Sequence, residues 1–205
     1  MNIPEEIIDG IRELITIGVG RSGGMLNRLT NAHVTLTVPE VQISDVASEN
    51  YMSTALHRLG SEDTSYVTLK FSGELTGSLS LMIPYSSALN LVVILTGEEG
   101  SPDEMDALRV ETLFEVGNII ISSVMSAISI LLTSRLRFDF PSYHSEKIIY
   151  QLSPLLLNQS DIGIIARTHF AVQQKEITGE MFILLTRDSY QHIENRITSI
   201  MEEGL

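Results

Sequence analysis

Cysteine is absent from the 205 residues, which excludes disulfides, thiolate metal sites and a cysteine nucleophile. Basic residues are scarce: 13 Lys and Arg stand against 26 Asp and Glu, a formal net charge of −13. Recognition of a phosphate backbone needs a basic surface that releases counterions, so nucleic acid is not an expected partner. The histidines His33, His57, His144, His169 and His192 form no ligand pair at helical or strand spacing, and no metal site is expected. The methionines are scattered and read as core filler. The amino terminus, Met1-Asn2-Ile3-Pro4-Glu5-Glu6, has no basic region followed by an apolar stretch, so it does not read as a secretory signal, and the expected location is the cytoplasm. One uncharged stretch, residues 116–134, is long enough to span a bilayer. Asn118, Ser122, Ser123, Ser126, Ser129, Thr133 and Ser134 interrupt it, which favours a buried helix over membrane insertion.

What the chain does have is a repeated pattern. Asp9, Glu13, Thr16 and Pro39 are followed 102 positions later by Glu111, Glu115, Asn118 and Pro141. The offset persists in Glu74-Leu75-Thr76-Gly77 and Glu176-Ile177-Thr178-Gly179, and Leu79, Leu81 and Ile83 map onto Met181, Ile183 and Leu185. A period near half the chain implies a duplicated unit with pseudo-twofold symmetry rather than a solenoid. The expected organisation is one domain of two repeats, about 3–100 and 105–205, with 43% hydrophobic residues to build its core.

Periodicity predicts the elements. Ile7, Ile8, Ile11, Leu14 and Ile15 mark an amphipathic helix from Glu5 to about Leu29. Val34 to Val46 reads as a strand whose Pro39 marks an edge or a bend. Tyr66 to Ser72 and Ser78 to Ile83 read as a hairpin, and Pro84 ends it before a helix capped by Ser86 or Ser87. In the second half Ser101-Pro102-Asp103-Glu104 has a capping-box arrangement, opening a helix to about Leu132. Leu136 to Phe140 is the matching strand, residues 148–157 have no assignable state, and 161–172 with 177–185 form the matching hairpin. A last helix spans about Ser189 to Met201. The fold class is therefore α+β, internally duplicated, with a mostly antiparallel sheet backed by long helices.

At about 100° per residue, Asp9, Glu13 and Thr16 fall within about 60° of one another, opposite the apolar stripe. Glu111, Glu115 and Asn118 share a face in the same way. Acids on an exposed helix face usually do no more than solvate it. A solvated face, however, has no reason to repeat the same acids, a polar third residue and the same distant proline.

These residues resemble the CheC/FliY/CheX family of chemotaxis phosphatases, whose motif is Asp or Ser, three residues, Glu, two residues, Asn, twenty-two residues, Pro. Glu115-Val116-Gly117-Asn118 and Pro141 match it, with Glu111 a departure at the first position. Asp9, Glu13 and Pro39 match in the first half, where Ile15-Thr16 stands in place of Gly-Asn and Ile17-Gly18-Val19-Gly20 looks like the family's glycine-rich continuation. In length, duplication and element order the chain is similar to the two-copy CheC-like members. The resemblance implies removal of phosphate from the phosphoaspartate of a CheY-like receiver domain. Asn118 would orient the attacking water, and Glu115 would dock a receiver lysine. Glu111 and Pro141 would shape the docking surface, with Asp9 and Glu13 as a second contact. The receiver would bring its own Mg²⁺, so no cofactor is expected in this chain. Thr16 is too short and too restricted to take the place of an Asn amide, leaving the first copy either a decayed half or a docking site. A CheD-like deamidase is a further expected partner.

Two other readings stay open. One is a non-catalytic adaptor of the same fold that binds a receiver, a CheD-like deamidase or a flagellar switch component. The other is nucleotide binding through Gly18-Val19-Gly20-Arg21-Ser22-Gly23. That fingerprint must follow a strand and open a helix, whereas here a helical pattern precedes it, so close packing of the first helix against its mate explains the glycines better.

Overall fold

The protein is described by a computed structural model over residues 3–30, 33–46, 63–97, 105–147, 162–172 and 175–203. The elements, in order, are α1 (Glu5–Thr30), β1 (Val34–Asp45), β2 (Asp63–Gly73), β3 (Gly77–Pro84), α2 (Tyr85–Thr96), α3 (Ala107–Leu131), β4 (Leu136–Phe138), β5 (Ser142–Lys147), β6 (Ile162–Val172), β7 (Lys175–Leu185) and α4 (Arg187–Glu203). The strands form one antiparallel sheet in the order β1-β6-β7-β3-β2, with β4 and β5 both along the outer side of β2. The expected α+β architecture is present.

The sheet order reads alike from either end. At its centre β3 pairs with β7 so that Ser80 lies opposite Phe182, the residue 102 positions later. This is the arrangement that two like units meeting along β3 and β7 would produce. The correspondence is imperfect in the hairpins: Glu74, Leu75 and Thr76 form the turn between β2 and β3, whereas residues 176–178 lie within strand β7.

Several expected boundaries move. The capping-box residues 101–104 and the apolar stretch 148–157 lie outside the described residues. Helix α3 begins at Ala107, and its cap is Asp106, whose side chain accepts from the Arg109 N–H at 2.9 Å. Pro84, not Ser86 or Ser87, occupies the N-cap of α2, with no side-chain cap bond. The strand expected over residues 136–140 stops at Phe138 and resumes at Ser142.

Each element buries a face that its sequence marks. On β1, Val34, Leu36 and Val38 are buried while Thr35 and Thr37 are exposed, the alternation of a strand with one face covered. The apolar stripe of α1 (Ile7, Ile11, Leu14, Ile15, Val19) enters the core. Helix α3 is long and apolar enough, by length and composition, to cross a membrane. Its Leu113, Val116, Ile120, Ile121, Val124 and Met125 are instead buried within the protein, where α3 packs along α1 and onto β2.

The glycine run lies inside α1, so the strand–turn–helix context of a dinucleotide site is absent there. Gly18 instead meets α3: a Cβ on it would lie 2.4 Å from the Val124 Cα. Around Gly20 there is nothing within 4 Å of such a Cβ. Gly18→Ala should therefore destabilise the protein by about 1–3 kcal/mol by overpacking, whereas Gly20→Ala should stabilise it by up to about 1 kcal/mol through helix propensity. Chemical denaturation of the two variants beside the parent reads both signs, and equal effects would contradict this account of the helix seam.

Tyr190 on α4 is buried, and its hydroxyl has no hydrogen-bond partner among the described residues. Burial, with Glu194 nearby, pushes its pKa up from 10.0 to about 12. The folded state thus keeps a proton that the unfolded chain has already released, so this contribution to stability is intact below about pH 10 and is lost as the pH rises towards about 12. Tyr190→Phe should flatten the alkaline decline in stability over that window, measured by denaturant titration at a series of pH values.

Candidate functional site

The stripe singled out in the sequence lies on α3. Glu111, Glu115, Asn118 and Ser122, spaced four, three and four residues apart, fall within about 60° of one another. Glu111, Glu115 and Ser122 are exposed, and Asn118 is half-buried. The depth of Asn118 follows from its neighbour. A Cβ on Gly117 would come within 2.5 Å of a Val67 methyl on β2, so only glycine lets the helix settle this close to the sheet. Ile120 and Ile121, both fully buried, fix the rotation of α3 on the other side of the stripe.

The chain then turns back to bring Pro141 across from Asn118. Helix α3 ends at Leu131, and Thr133 takes a left-handed φ of 55°. The Ser134 N–H donates to the Ser129 carbonyl at 2.9 Å, and the Ser129 hydroxyl donates to the Ser134 carbonyl at 2.7 Å. Strand β4 runs along β2, with Phe138 opposite Phe71, and the Asp139 N–H donates to the Lys70 carbonyl at 3.0 Å. The break that follows, before β5 starts at Ser142, contains Pro141. A long motif spacing thus closes in space.

Between this stretch and α3 lies a groove of about 270 Å³, lined among others by Leu69, Asn118, Ser122, Phe138, Asp139 and Pro141. The structure therefore brings Asn118 and Pro141 to one groove, with Glu111 and Glu115 exposed further along the same helical stripe. The Ser122 hydroxyl donates to the Asn118 Oδ1 at 3.0 Å. Large apolar side chains are exposed at the end of α3 and in the stretch that follows it: Ile130 at 61%, Phe138 at 48% and Phe140 at 98%. Apolar exposure around a groove that carries a few polar groups is the composition of a protein-binding surface.

Sequence reasoning did not assign Ser122, Phe138 and Phe140 to the site. The signal for Ser122 was its place one turn beyond Asn118. For the phenylalanines only the strand break reveals that they leave the core, since alternation sets residues 138 and 140 on the same face of a strand.

The corresponding stripe on α1 is arranged differently. Asp9 is held by Arg12 in an exposed pair at 2.7 Å. Glu13 and Thr16 are exposed, and Pro39 is exposed on β1, within a register shift between Thr37 and Glu40. Where α3 has Gly117, α1 has Ile15, fully buried against the core. Among the described residues, no group of three or more His, Asp or Glu is placed to hold a metal ion.

No protein-family model matches the chain. It is 26% identical over 201 residues to the CheY-P phosphatase CheC of Bacillus subtilis, covering 93% of each chain. Among solved structures it resembles Thermotoga maritima FliY, with a TM-score of 0.76, 18% identity and coverage of 97% of this chain and 99% of that one. It also resembles a chain of the FliG–FliM complex of H. pylori, with a TM-score of 0.69, 14% identity and coverage of 94% of this chain and 100% of that one.

Proposed function

Because the chain belongs to the CheC/FliY/CheX family, we propose that it removes phosphate from the phosphoaspartate of a CheY-like response regulator. The observation that carries this reading is the groove that holds Asn118 and Pro141 together, in a chain similar over nearly its whole length to a CheY-P phosphatase. Hydrolysis of an acyl phosphate needs a water in line with phosphorus; its oxygen bonds to phosphorus as the aspartate carboxylate departs. Positioning supplies most of the rate where the acceptor site already exists. A carboxamide both donates and accepts, so Asn118 can hold that water. Glu115, exposed one turn earlier, meets a lysine of the receiver's active site, and Glu111 and Pro141 shape the surface around it. Mg²⁺ comes with the receiver. Phe138, Phe140 and Ile130 supply apolar contact area beyond the polar centre.

In the same reading the chain is two repeats of one unit in a cytoplasmic protein. The first repeat, through Asp9 and Glu13, docks without catalysing, and a CheD-like deamidase is a further partner. The alternative is an adaptor of the same fold. It is favoured by the likeness to FliM, solved in complex with FliG, and by the departures at Glu111 and Thr16 from the family's motif.

Three groups of variants separate these readings in single-turnover decay of a phosphorylated receiver. Asn118→Ala should abolish acceleration, a loss of several kcal/mol in transition-state stabilisation, with binding nearly unchanged. Glu115→Lys should weaken binding through like charge, and Glu13→Ala should cost little. If Asn118→Ala matches the parent at equal occupancy, or Glu13→Ala is the more damaging change, the adaptor reading takes over.

Phe140→Ser should leave folding stability within about 0.5 kcal/mol of the parent, as exposed positions usually do, while raising the concentration of receiver needed for half-saturation. A drop in stability without a binding effect would make Phe140 structural. Gain of a second site is best sought with Thr16→Asn alone. Ile15→Gly would empty a fully buried position at a cost of about 3–5 kcal/mol. Thr16→Asn on an Asn118→Ala background should recover part of the decay rate if the first copy docks; no recovery at saturating receiver marks that copy as decayed.

A further inference from the structure

Hydroxyls on helices have a default partner, the backbone carbonyl one turn back. Thr96, Thr112, Thr198 and Ser199 each donate to the carbonyl four residues earlier, and Ser22 donates to the carbonyl three residues earlier. Ser122 does something else: it donates across the helix surface to the Asn118 Oδ1 at 3.0 Å. It sits at the mouth of the same groove, exposed, with no part in the core cluster.

We infer that Ser122 is a positioning residue for Asn118. Resting on the phosphatase reading above, the inference assigns Ser122 to the reaction through the carboxamide rather than through contact with the phosphoryl group. The amide of a free Asn has two faces of opposite sense, related by a half-turn about its last torsion, and that torsion is soft. Only one of them presents Oδ1 and Nδ2 correctly to a water in line with phosphorus. A hydroxyl one turn further on can donate to Oδ1 or, if the amide is turned over, accept from Nδ2; here it donates to Oδ1. The bond restrains the soft torsion in the orientation that turns Oδ1 towards Ser122 and Nδ2 away from it. Oδ1 keeps a second lone pair for a water proton, and donation into Oδ1 strengthens the Nδ2–H as a donor.

The first copy is consistent with this division. The position equivalent to Ser122 is Gly20, which carries no hydroxyl. Neither member of the pair is thus present on α1, where Thr16 replaces Asn and Gly20 replaces Ser.

The test is decay of a phosphorylated CheY-like receiver under a range of receiver concentrations, with limiting rate and half-saturation read separately. Ser122→Ala should lower the limiting rate about threefold to tenfold, the worth of one orienting hydrogen bond, and leave half-saturation unchanged. Ser122→Thr, which keeps the hydroxyl, should recover most of the rate. Adding Ser122→Ala to Asn118→Ala should cost nothing more, because an amide that is gone cannot be oriented. In the free protein, the Asn118 side-chain NH2 resonances, identified by their loss in Asn118→Ala, should show increased fast motion in Ser122→Ala. A parent-like rate for Ser122→Ala, or a loss confined to half-saturation, overturns the inference while the phosphatase reading stands. A parent that fails to accelerate decay of any receiver overturns both.

Discussion

The close approach of α1 and α3 at Gly18 and Val124 is the contact on which the rest of the molecule depends. Two helix backbones meet there with no room for a methyl group, and at that distance packing is a matter of geometry rather than of general apolarity. A second glycine, Gly117, lets the same α3 settle against Val67 on the sheet. Held from two sides, α3 has neither freedom to rotate nor freedom to rise. Its outward stripe, from Glu111 to Ser122, is therefore presented at a fixed angle and a fixed depth.

That constraint explains how one helix can serve both the core and the groove. Most of the circumference of α3 is spent on burial, through Leu113, Val116, Ile120, Ile121, Val124 and Ile128, and a narrow strip is left. Asn118 lies at the margin, deep enough to be partly shielded from water yet open to a partner. Hydrogen bonds formed in such a place count for more than in bulk solvent. Helix α1 shows the other outcome. Ile15 stands where Gly117 stands on α3, so its side chain takes up the space against the sheet, and Thr16 is left on an open surface.

Much of this was legible in the chain before any coordinates. The stripe of Glu111, Glu115 and Asn118 follows from helical spacing, the strands from alternation, and the glycines of α1 could be placed in a helix because a helical pattern surrounds them, although Gly18 packs against α3 and Gly20 has open space around it. The motif's distant proline was legible as a residue but not as a place. Its proximity to Asn118 depends on Thr133 adopting a left-handed conformation and on the strand breaking after Phe138, events set by Ser129, Ser134 and the pairing with β2. Helix starts were misplaced for a related reason. Asp106 caps α3, and local sequence alone does not rank Asp against Ser as a cap. Glu74, Leu75 and Thr76 form a turn whereas the residues 102 positions later lie within β7, a difference that a constant sequence offset does not reveal.

The two prolines of the motif have a consequence for how the molecule meets other chains. Pro39 interrupts β1, which forms one border of the sheet, and Pro141 separates β4 from β5 on the opposite border. A row of unpaired amides is a template on which a foreign strand can grow, and a residue that lacks the amide hydrogen, set in a shifted or broken stretch, spoils that template. Both ends of the sheet are blunted in this way. Recruitment by strand addition is thereby discouraged, in accidental aggregation and in specific complexes alike.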